Sequence, residues 1–255
     1  VLVIVPTYNE VENLRSIVGR VLSSVPRAHV LVMDDNSPDG TGALADSMSA
    51  ADNRVHVVHR AGKQGLGAAY IAGFAWGLEQ GYSVLVQIDA DGSHPPETLP
   101  EMLAVLEADP SLALVVGSRW VRGGRVVDWP KRREALSRSA NVYANIMLGV
   151  GVHDATAGFR AYRADYMSLI HPESVVSKGY CFQIDMTLRV FDSGGGIAEV
   201  PIVFRDREAG ESKMSGEIVV EAMRMVTLWG IQRRLRSLGR LFRPRSSSRS
   251  AGVGD

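Results

Sequence analysis

Val84-Leu85-Val86-Gln87-Ile88-Asp89-Ala90-Asp91 runs from a β-branched apolar stretch straight into two carboxylates. The apolar part lacks the strict polar alternation of a half-exposed strand, so it fits a parallel strand covered on both faces. Residues 1–5, 29–33, 55–58 and 112–116 have the same character, and helical patterns fill 11–24, 41–49, 66–80 and 96–108 between them. This β-α alternation predicts an α/β fold, a doubly wound, mostly parallel sheet with helices on both faces and right-handed crossovers. Ligands of such sheets sit at the carboxyl ends of the strands, where Asp89 and Asp91 fall.

The second half is less regular. Residues 119–138 hold seven Arg or Lys against Asp128 and Glu134, with Gly123-Gly124 at the centre. They read as a mobile basic loop leading into a helix over 135–148. Strands are expected at 159–163 and 197–204, with a helix over 182–191 between them. Residues 206–216 are polar and Gly-containing, as in a loop. From residue 218 a helix should run to about Phe242, and the Ser/Arg/Gly composition after Pro244 predicts disorder. The expected units are therefore 1–216, a globular domain; 217–243, an amphipathic helix; and 244–255, a tail.

With 255 residues, 45% apolar and 22% charged, the chain has the composition of a globular protein with a sizeable core. Lys+Arg and Asp+Glu are 28 each, but the zero net charge is an average. Residues 1–223 carry a net −7 and residues 224–255 a net +7. The acidic strand ends argue against a nucleic-acid partner. Cys181 is the only cysteine, which excludes an intramolecular disulfide and a Cys-based zinc site and fits a reducing compartment. Residues 1–5 have no basic region before them and run into Pro6, so no signal peptide is expected. The sequence opens on Val1 rather than Met, as expected of a trimmed chain or an excised domain. Residues 218–231 are interrupted by Glu221 and Arg224, so no spanning helix is expected there. A separate membrane-anchoring domain or partner remains an open expectation.

Asp89 and Asp91 stand at i and i+2 after a strand, where both can reach one divalent cation; hard cations take oxygen ligands. An acidic turn is the bland alternative. A second cluster, Asp34-Asp35-Asn36-Ser37-Pro38-Asp39, ends the second strand, and Pro6-Thr7-Tyr8-Asn9-Glu10 ends the first. Three carboxylates at one strand mouth repel each other unless hydrogen bonds or a ligand offset the cost. Carboxylates there suit ribose hydroxyls and base-edge donors. Asp154 and Asp185 are either candidate bases or ion-pair partners of Arg160 or Arg163. His56 and His59 are three apart in a strand and should face opposite sides, so they do not read as a metal pair. His94 reads as a capping or hydrogen-bonding residue, and Phe74 and Trp76 as core. The run Gly62-Lys63-Gln64-Gly65-Leu66-Gly67 fits neither phosphate-loop pattern and reads as a helix opening that helps seat a ligand.

Taken together, 5–10, 34–41 and 89–91 resemble the nucleotide-sugar-dependent glycosyltransferases of the GT-A fold, in the large inverting family 2 that includes cellulose synthases. Gly65–Tyr70, Ser93-His94-Pro95-Pro96, Gly117-Ser118-Arg119, Thr156–Arg163, Ser177-Lys178-Gly179-Tyr180, Glu199-Val200-Pro201-Ile202 and the segment 204–213 narrow the likeness. Over roughly residues 1–230 the chain is similar to the polyprenyl-phosphate (dolichol-phosphate) mannose synthases, in their actinobacterial soluble-domain form. That resemblance implies GDP-mannose as donor, polyprenyl phosphate as acceptor, and a peripheral position at the cytoplasmic face of a membrane. It implies donor contacts from Pro6, Tyr8, Glu10, Met33, Asp35, Asp89, Ala90, Asp91, Arg119, Arg207 and Lys213. It also implies a Mg²⁺ or Mn²⁺ ion on Asp89 and Asp91, with Asp91 and Arg119 central to catalysis. Arg119, Arg132, Arg207 and Lys213 are the expected contacts of the acceptor phosphate. Ser93 stands where some members carry a metal-touching Gln.

Two other readings stay open: glucosyl transfer from UDP-glucose to the same acceptor, and a non-catalytic nucleotide- or lipid-binding module. Toward the C-terminus, Leu228, Ile231, Leu235, Leu238 and Phe242 recur at helical spacing, and Arg233, Arg236, Arg240 and Arg243 line another face. Such a basic amphipathic helix suits an anionic membrane surface; packing on the body with a solvated Arg face is the alternative. Val142, Ile146, Met147 and Leu148 are expected to extend the apolar surface.

Overall fold

The computed structural model describes residues 1–175, 177, 179–206 and 216–241, with backbone only at 180, 216–221 and 236–241. The first half alternates as its pattern predicts: β1 (Leu2–Thr7), α1 (Leu14–Ser24), β2 (His29–Asp34), α2 (Thr41–Ala51), β3 (Val55–His59), α3 (Leu66–Glu79), β4 (Val84–Gln87), α4 (Leu99–Ala108) and β5 (Leu112–Ser118). Then follow β6 (Arg125–Val127), α5 (Lys131–Leu148), β7 (Arg160–Arg163), α6 (Met167–Ile170), α7 (Tyr180–Asp192), β8 (Gly196–Pro201), β9 (Val203–Arg205) and α8 (Gly216–Leu241).

Seven strands form one sheet in the order β3-β2-β1-β4-β7-β5-β8, and β6 pairs with β9 in a two-stranded sheet. All pairs in the large sheet are parallel except those of β7, which lies antiparallel between β4 and β5. Side chains alternate across the strands, so Val3, Val5, Val30 and Val32 enter one apolar layer under α1, α2 and α4. Leu2, Ile4, Leu31 and Met33 enter the opposite layer with Tyr70 and Phe74 of α3 and Phe182 of α7. This double covering explains why the strands read as nearly unbroken apolar runs.

Two expectations change here. The basic segment 119–138 is not a loop throughout, since it contains β6, and α5 begins at Lys131 directly after Pro130. Proline suits a helix start because its missing N–H would have no partner there. The single strand expected over 197–204 is two: β8 ends at Pro201, which has no N–H for a ladder, and β9 joins the small sheet with β6.

The long C-terminal helix packs on the body. Val226 and Trp229 of α8 join Ala144, Met147 and Leu148 of α5 and Ile184 and Leu188 of α7 in a third apolar cluster. Gly230 makes this approach possible, because a Cβ there would lie 2.8 Å from the Met147 carbonyl oxygen. Arg233 pairs with Asp192 and sits over the Phe191 ring. Leu228, Ile231 and Leu235 remain exposed, as do Val142 and Ile146 of α5. Leu148, expected on that surface, is only 3% exposed and turns inward, and Met147 packs against the cluster. Leu238, Phe242, Arg236, Arg240, Arg243 and the expected tail lie outside the described side chains. Among the described residues, no helix is long and apolar enough to cross a membrane.

Candidate active site

The carboxyl ends of β1, β2, β4 and β5 converge on one edge of the sheet, because their parallel register sets Thr7 beside Asp34 and carries β4 alongside β1. Asp34 is 2% exposed and accepts from the Thr7 hydroxyl, the Ser37 hydroxyl and the Ser37 N–H, so it builds the turn. Asp39 does the same for the start of α2, accepting from Thr41 and from the Val11 N–H. The repulsion among the three carboxylates is thus relieved by hydrogen bonds. Asp35 faces Arg60, whose Nη1 lies 2.5 Å from Oδ1. Burial pushes the Asp35 carboxyl up from 3.8, and the Arg60 charge offsets part of that rise. Lys63 places its ammonium 4.1 Å from the centre of the Tyr8 ring. Pro6, Tyr8 and Glu10 lie at this β1 edge, as the sequence led us to expect. Met33 differs: its side chain is fully buried in the α3 layer, so it cannot line the cleft.

Asp89, Asp91 and His94 bring ligand atoms within 4.8 Å of one another. The Tyr70 hydroxyl donates to Asp89 Oδ1 at 3.0 Å, and burial pushes that hydroxyl well above its usual 10.0, which keeps it a donor. The Ser93 N–H donates to Asp91 Oδ1. His94 is 2% exposed, and burial lowers its pKa from 6.5 against the opposing pull of Asp89 and Asp91. A neutral imidazole is the form that ligates metal. His94 reads from the sequence as a capping or hydrogen-bonding residue, and its Nδ1 lies 3.4 Å from the Ser93 hydroxyl; the turn Gly92-Ser93 also brings it back over Asp89, 3.8 Å from Oδ2. Gly158 closes the cluster from the β7 side, since a Cβ there would meet Asp89 Oδ2 at 3.2 Å and His94 Cε1 at 3.3 Å. Two carboxylates and a neutral imidazole fit a divalent cation of the Mg²⁺/Mn²⁺ class, the nitrogen favouring Mn²⁺.

Arg119, just past β5, lies 5% exposed beside fully buried Asp154. Its backbone N–H, Nε and Nη2 donate to the Asp154 carboxylate at 3.0, 2.7 and 2.7 Å. The guanidinium is surrounded by Trp120, Trp129 and Phe204 at 5.2–5.5 Å. The sequence offered Arg119 as an open phosphate contact, yet the fold commits much of its fork to a carboxylate 35 residues away. Asp154 and Asp185 are ion-paired, but with Arg119 and Arg189. Arg160 instead donates to carbonyls of Ala155, Ala157 and Gln183, and Arg163 to those of Leu106 and Leu112. Glu199 of β8 holds the Asp154 segment, accepting from the His153 and Asp154 N–H groups. Arg132 is exposed in the first turn of α5. Arg133 stacks on Trp129 at 3.9 Å and pairs with Asp206. Arg207 and Lys213 lie outside the described residues.

An apolar groove starts at Arg119, Trp129 and Thr156 and runs between α5 and α8 past Leu136, Tyr143 and Met223. The nested arginine lines the groove and shares the Phe204 ring with His94 of the acidic cluster.

Residues 2–169 match the description "Glycosyl transferase family 2". The chain belongs to this family. It is 58% identical to a polyprenol monophosphomannose synthase of Mycolicibacterium smegmatis over 92% of this chain and 88% of that protein. It is 56% identical to an undecaprenyl-phosphate mannosyltransferase of Micrococcus luteus over 93% and 97%. A glucosyl-3-phosphoglycerate synthase from Mycobacterium tuberculosis, solved with Mn²⁺, UDP and glucosyl-3-phosphoglycerate, shares the fold. Its TM-score is 0.64 at 20% identity, over 91% of this chain and 78% of that one. The protein is a family 2 glycosyltransferase of GT-A fold, and its resemblance to the polyprenyl-phosphate mannose synthases holds across most of its length.

Proposed function

We propose that this family 2 enzyme transfers mannose from GDP-mannose to polyprenyl phosphate, giving β-mannosyl phosphopolyprenol and GDP with inversion. The observation that carries this reading is the apolar groove opening at Arg119, whose guanidinium shares the Phe204 ring with His94 of the Asp89–Asp91–His94 cluster. A prenyl chain needs an apolar path of this kind beside the phosphate site. The names of the two bacterial relatives support the sugar and the acceptor class.

Tyr8, Glu10 and Asp35 are assigned to the nucleoside, with Pro6 and the backbone of Met33 at its edge and Ala90 between the two ligating aspartates. Asp89 and Asp91 would hold Mg²⁺ or Mn²⁺, with His94 as a third donor. Such a cation would supply positive charge to the diphosphate as GDP leaves. The acceptor is a phosphate monoester, largely a dianion at neutral pH because its second pKa is about 6. Its oxygen attacks the anomeric carbon as the bond to GDP breaks, with no proton to remove. This agrees with the absence of a free base at Asp154, whose carboxylate is spent on Arg119. Arg119, fixed by that carboxylate, is the positioned cation at the groove mouth. Arg132, Arg207 and Lys213 complete the proposed phosphate set, and Arg133 joins it through its place on Trp129.

Val142 and Ile146 of α5 and Leu228, Ile231 and Leu235 of α8, the two helices that flank the groove, are exposed apolar residues. We assign these residues to the cytoplasmic surface of the membrane, as a peripheral contact. The test is a donor-by-acceptor assay with GDP-mannose and UDP-glucose, each offered long and short polyprenyl phosphates and Mg²⁺ or Mn²⁺. Product from GDP-mannose is expected; product only from UDP-glucose overturns the mannose assignment. Truncation near Gly230 should reduce activity on long acceptors and spare short ones.

A further inference from the structure

At the amino ends of the strands, away from the catalytic edge, three side chains converge. His29 opens β2 and His56 is the second residue of β3. The parallel register sets His56 beside Leu31, and His29 lies two residues earlier on the same face. Tyr82 comes from the turn between α3 and β4. His29 Nδ1 lies 3.0 Å from His56 Nε2 and 2.8 Å from the Tyr82 hydroxyl, which is 3.5 Å from His56 Nε2.

Two hydrogen bonds can satisfy the three groups, but no arrangement of protons fills all three contacts at once. Each ring nitrogen carries either one proton or one lone pair. In every neutral tautomer, one of the three contacts is therefore unfilled or shared. A cation in the middle would use all the lone pairs at once. A tetrahedral ion with bonds of about 2.0–2.1 Å spaces its ligands by about 3.3 Å, within the range of the three observed edges. An ion at that distance from all three atoms sits about 1 Å off their plane.

We propose that His29, His56 and Tyr82 form a second cation site, for one transition-metal ion of the Zn²⁺ class. His29 Nδ1 and His56 Nε2 are its nitrogen ligands, the Tyr82 oxygen is the third neighbour, and water closes the shell. Burial and the neighbouring His29 lower the pKa of His56, which favours the neutral, ligating imidazole. Trp76 packs 5.1 Å from the His56 ring and 6.1 Å from Tyr82, which holds both rings in place. Imidazole nitrogens favour zinc-like ions over Mg²⁺, and this site, unlike the Asp89–Asp91–His94 cluster, has no carboxylate ligand. The ion would tie β3, an edge strand of the sheet, to β2 and to the turn before β4.

The test is titration calorimetry of tag-free, chelator-stripped protein with Zn²⁺, with Asp91→Ala used to disable the carboxylate–imidazole cluster, which also accepts Zn²⁺. Asp91→Ala should bind one equivalent, and wild type that equivalent plus any taken by the cluster. Loss even of a residue that only orients a ligand weakens metal binding about 10–100-fold, so His29→Gln and His56→Gln should fall by at least about tenfold. Co²⁺ bound to wild type should show the intense visible absorption of a tetrahedral site. The proposal is overturned if Zn²⁺ binds His56→Gln as it binds wild type, or if Asp91→Ala loses the equivalent. A wild-type Co²⁺ spectrum with only weak octahedral bands overturns it without any variant.

Discussion

Replacing Asp154 by Asn removes one charge and almost no volume. Asp154 is fully buried, and Arg119 is 5% exposed among aromatic rings. The carboxylate takes three N–H donors from Arg119 and the Thr156 hydroxyl at 3.2 Å. An amide offers one acceptor oxygen and turns its NH₂ toward a donor, leaving the guanidinium without its counter-charge. Removing one partner of a buried pair costs about 3–5 kcal/mol, so urea unfolding of Asp154→Asn should show a loss of about 3 kcal/mol. Arg119→Met should cost a similar amount for the opposite charge. The double variant Arg119→Met/Asp154→Leu strands neither charge and should cost less than the sum, with a coupling of about 1–3 kcal/mol. The sign with pH follows from the same pair. Burial would push the Asp154 carboxyl up, but the charge and hydrogen bonds of Arg119 hold it below the usual 3.8. The folded pKa is depressed, so this contribution is present above pH 3.8 and is lost as pH falls through the folded value. Asp154→Asn should lack that part of the acid transition. A loss under about 1 kcal/mol, or an additive double variant, would refute the reasoning.

Asp91→Ala should lower turnover by about 10²–10³-fold while leaving thermal unfolding nearly unchanged; an active variant would exclude the carboxylate cluster from catalysis. Glu199→Gln leaves one acceptor oxygen for the His153 and Asp154 N–H groups, so stability should fall by about 1–3 kcal/mol and activity with it. The Glu199 assignment fails if both match wild type. Gly230→Leu forces a side chain against the Met147 carbonyl at 2.8 Å. Hydrogen exchange of α8 and α5 should then rise together, at a cost of about 1–3 kcal/mol, and unchanged exchange would show that the helices do not pack here.

The strands that carry the site were legible because each is an unbroken apolar run, the mark of a sheet covered on both faces. Their polar ends followed: Asp35, Asp89 and Asp91 need only the chain direction to be placed on one edge. The basic segment after Arg119 misled, since β6 is three residues long and its pairing with β9 joins positions far apart in sequence. The nearness of His94 to Asp89 had no local signal, because it depends on a turn that folds the ring back over that carboxylate. The pairing of Asp154 with Arg119 rather than Arg160 had no local signal either. Arg160 is drawn inward by carbonyl groups that β7 meets only when it enters the sheet antiparallel between β4 and β5.

By itself the sequence determined the layered α/β architecture, the acidic strand ends and the kinship with family 2, because periodicity and short motifs are local properties of the chain. Only the tertiary structure decided which charges neutralise each other, which apolar residues stay exposed, and where an apolar groove opens beside Arg119. Those outcomes depend on burial and on contacts between residues tens of positions apart. Desolvation makes such contacts strong, and no local pattern records them.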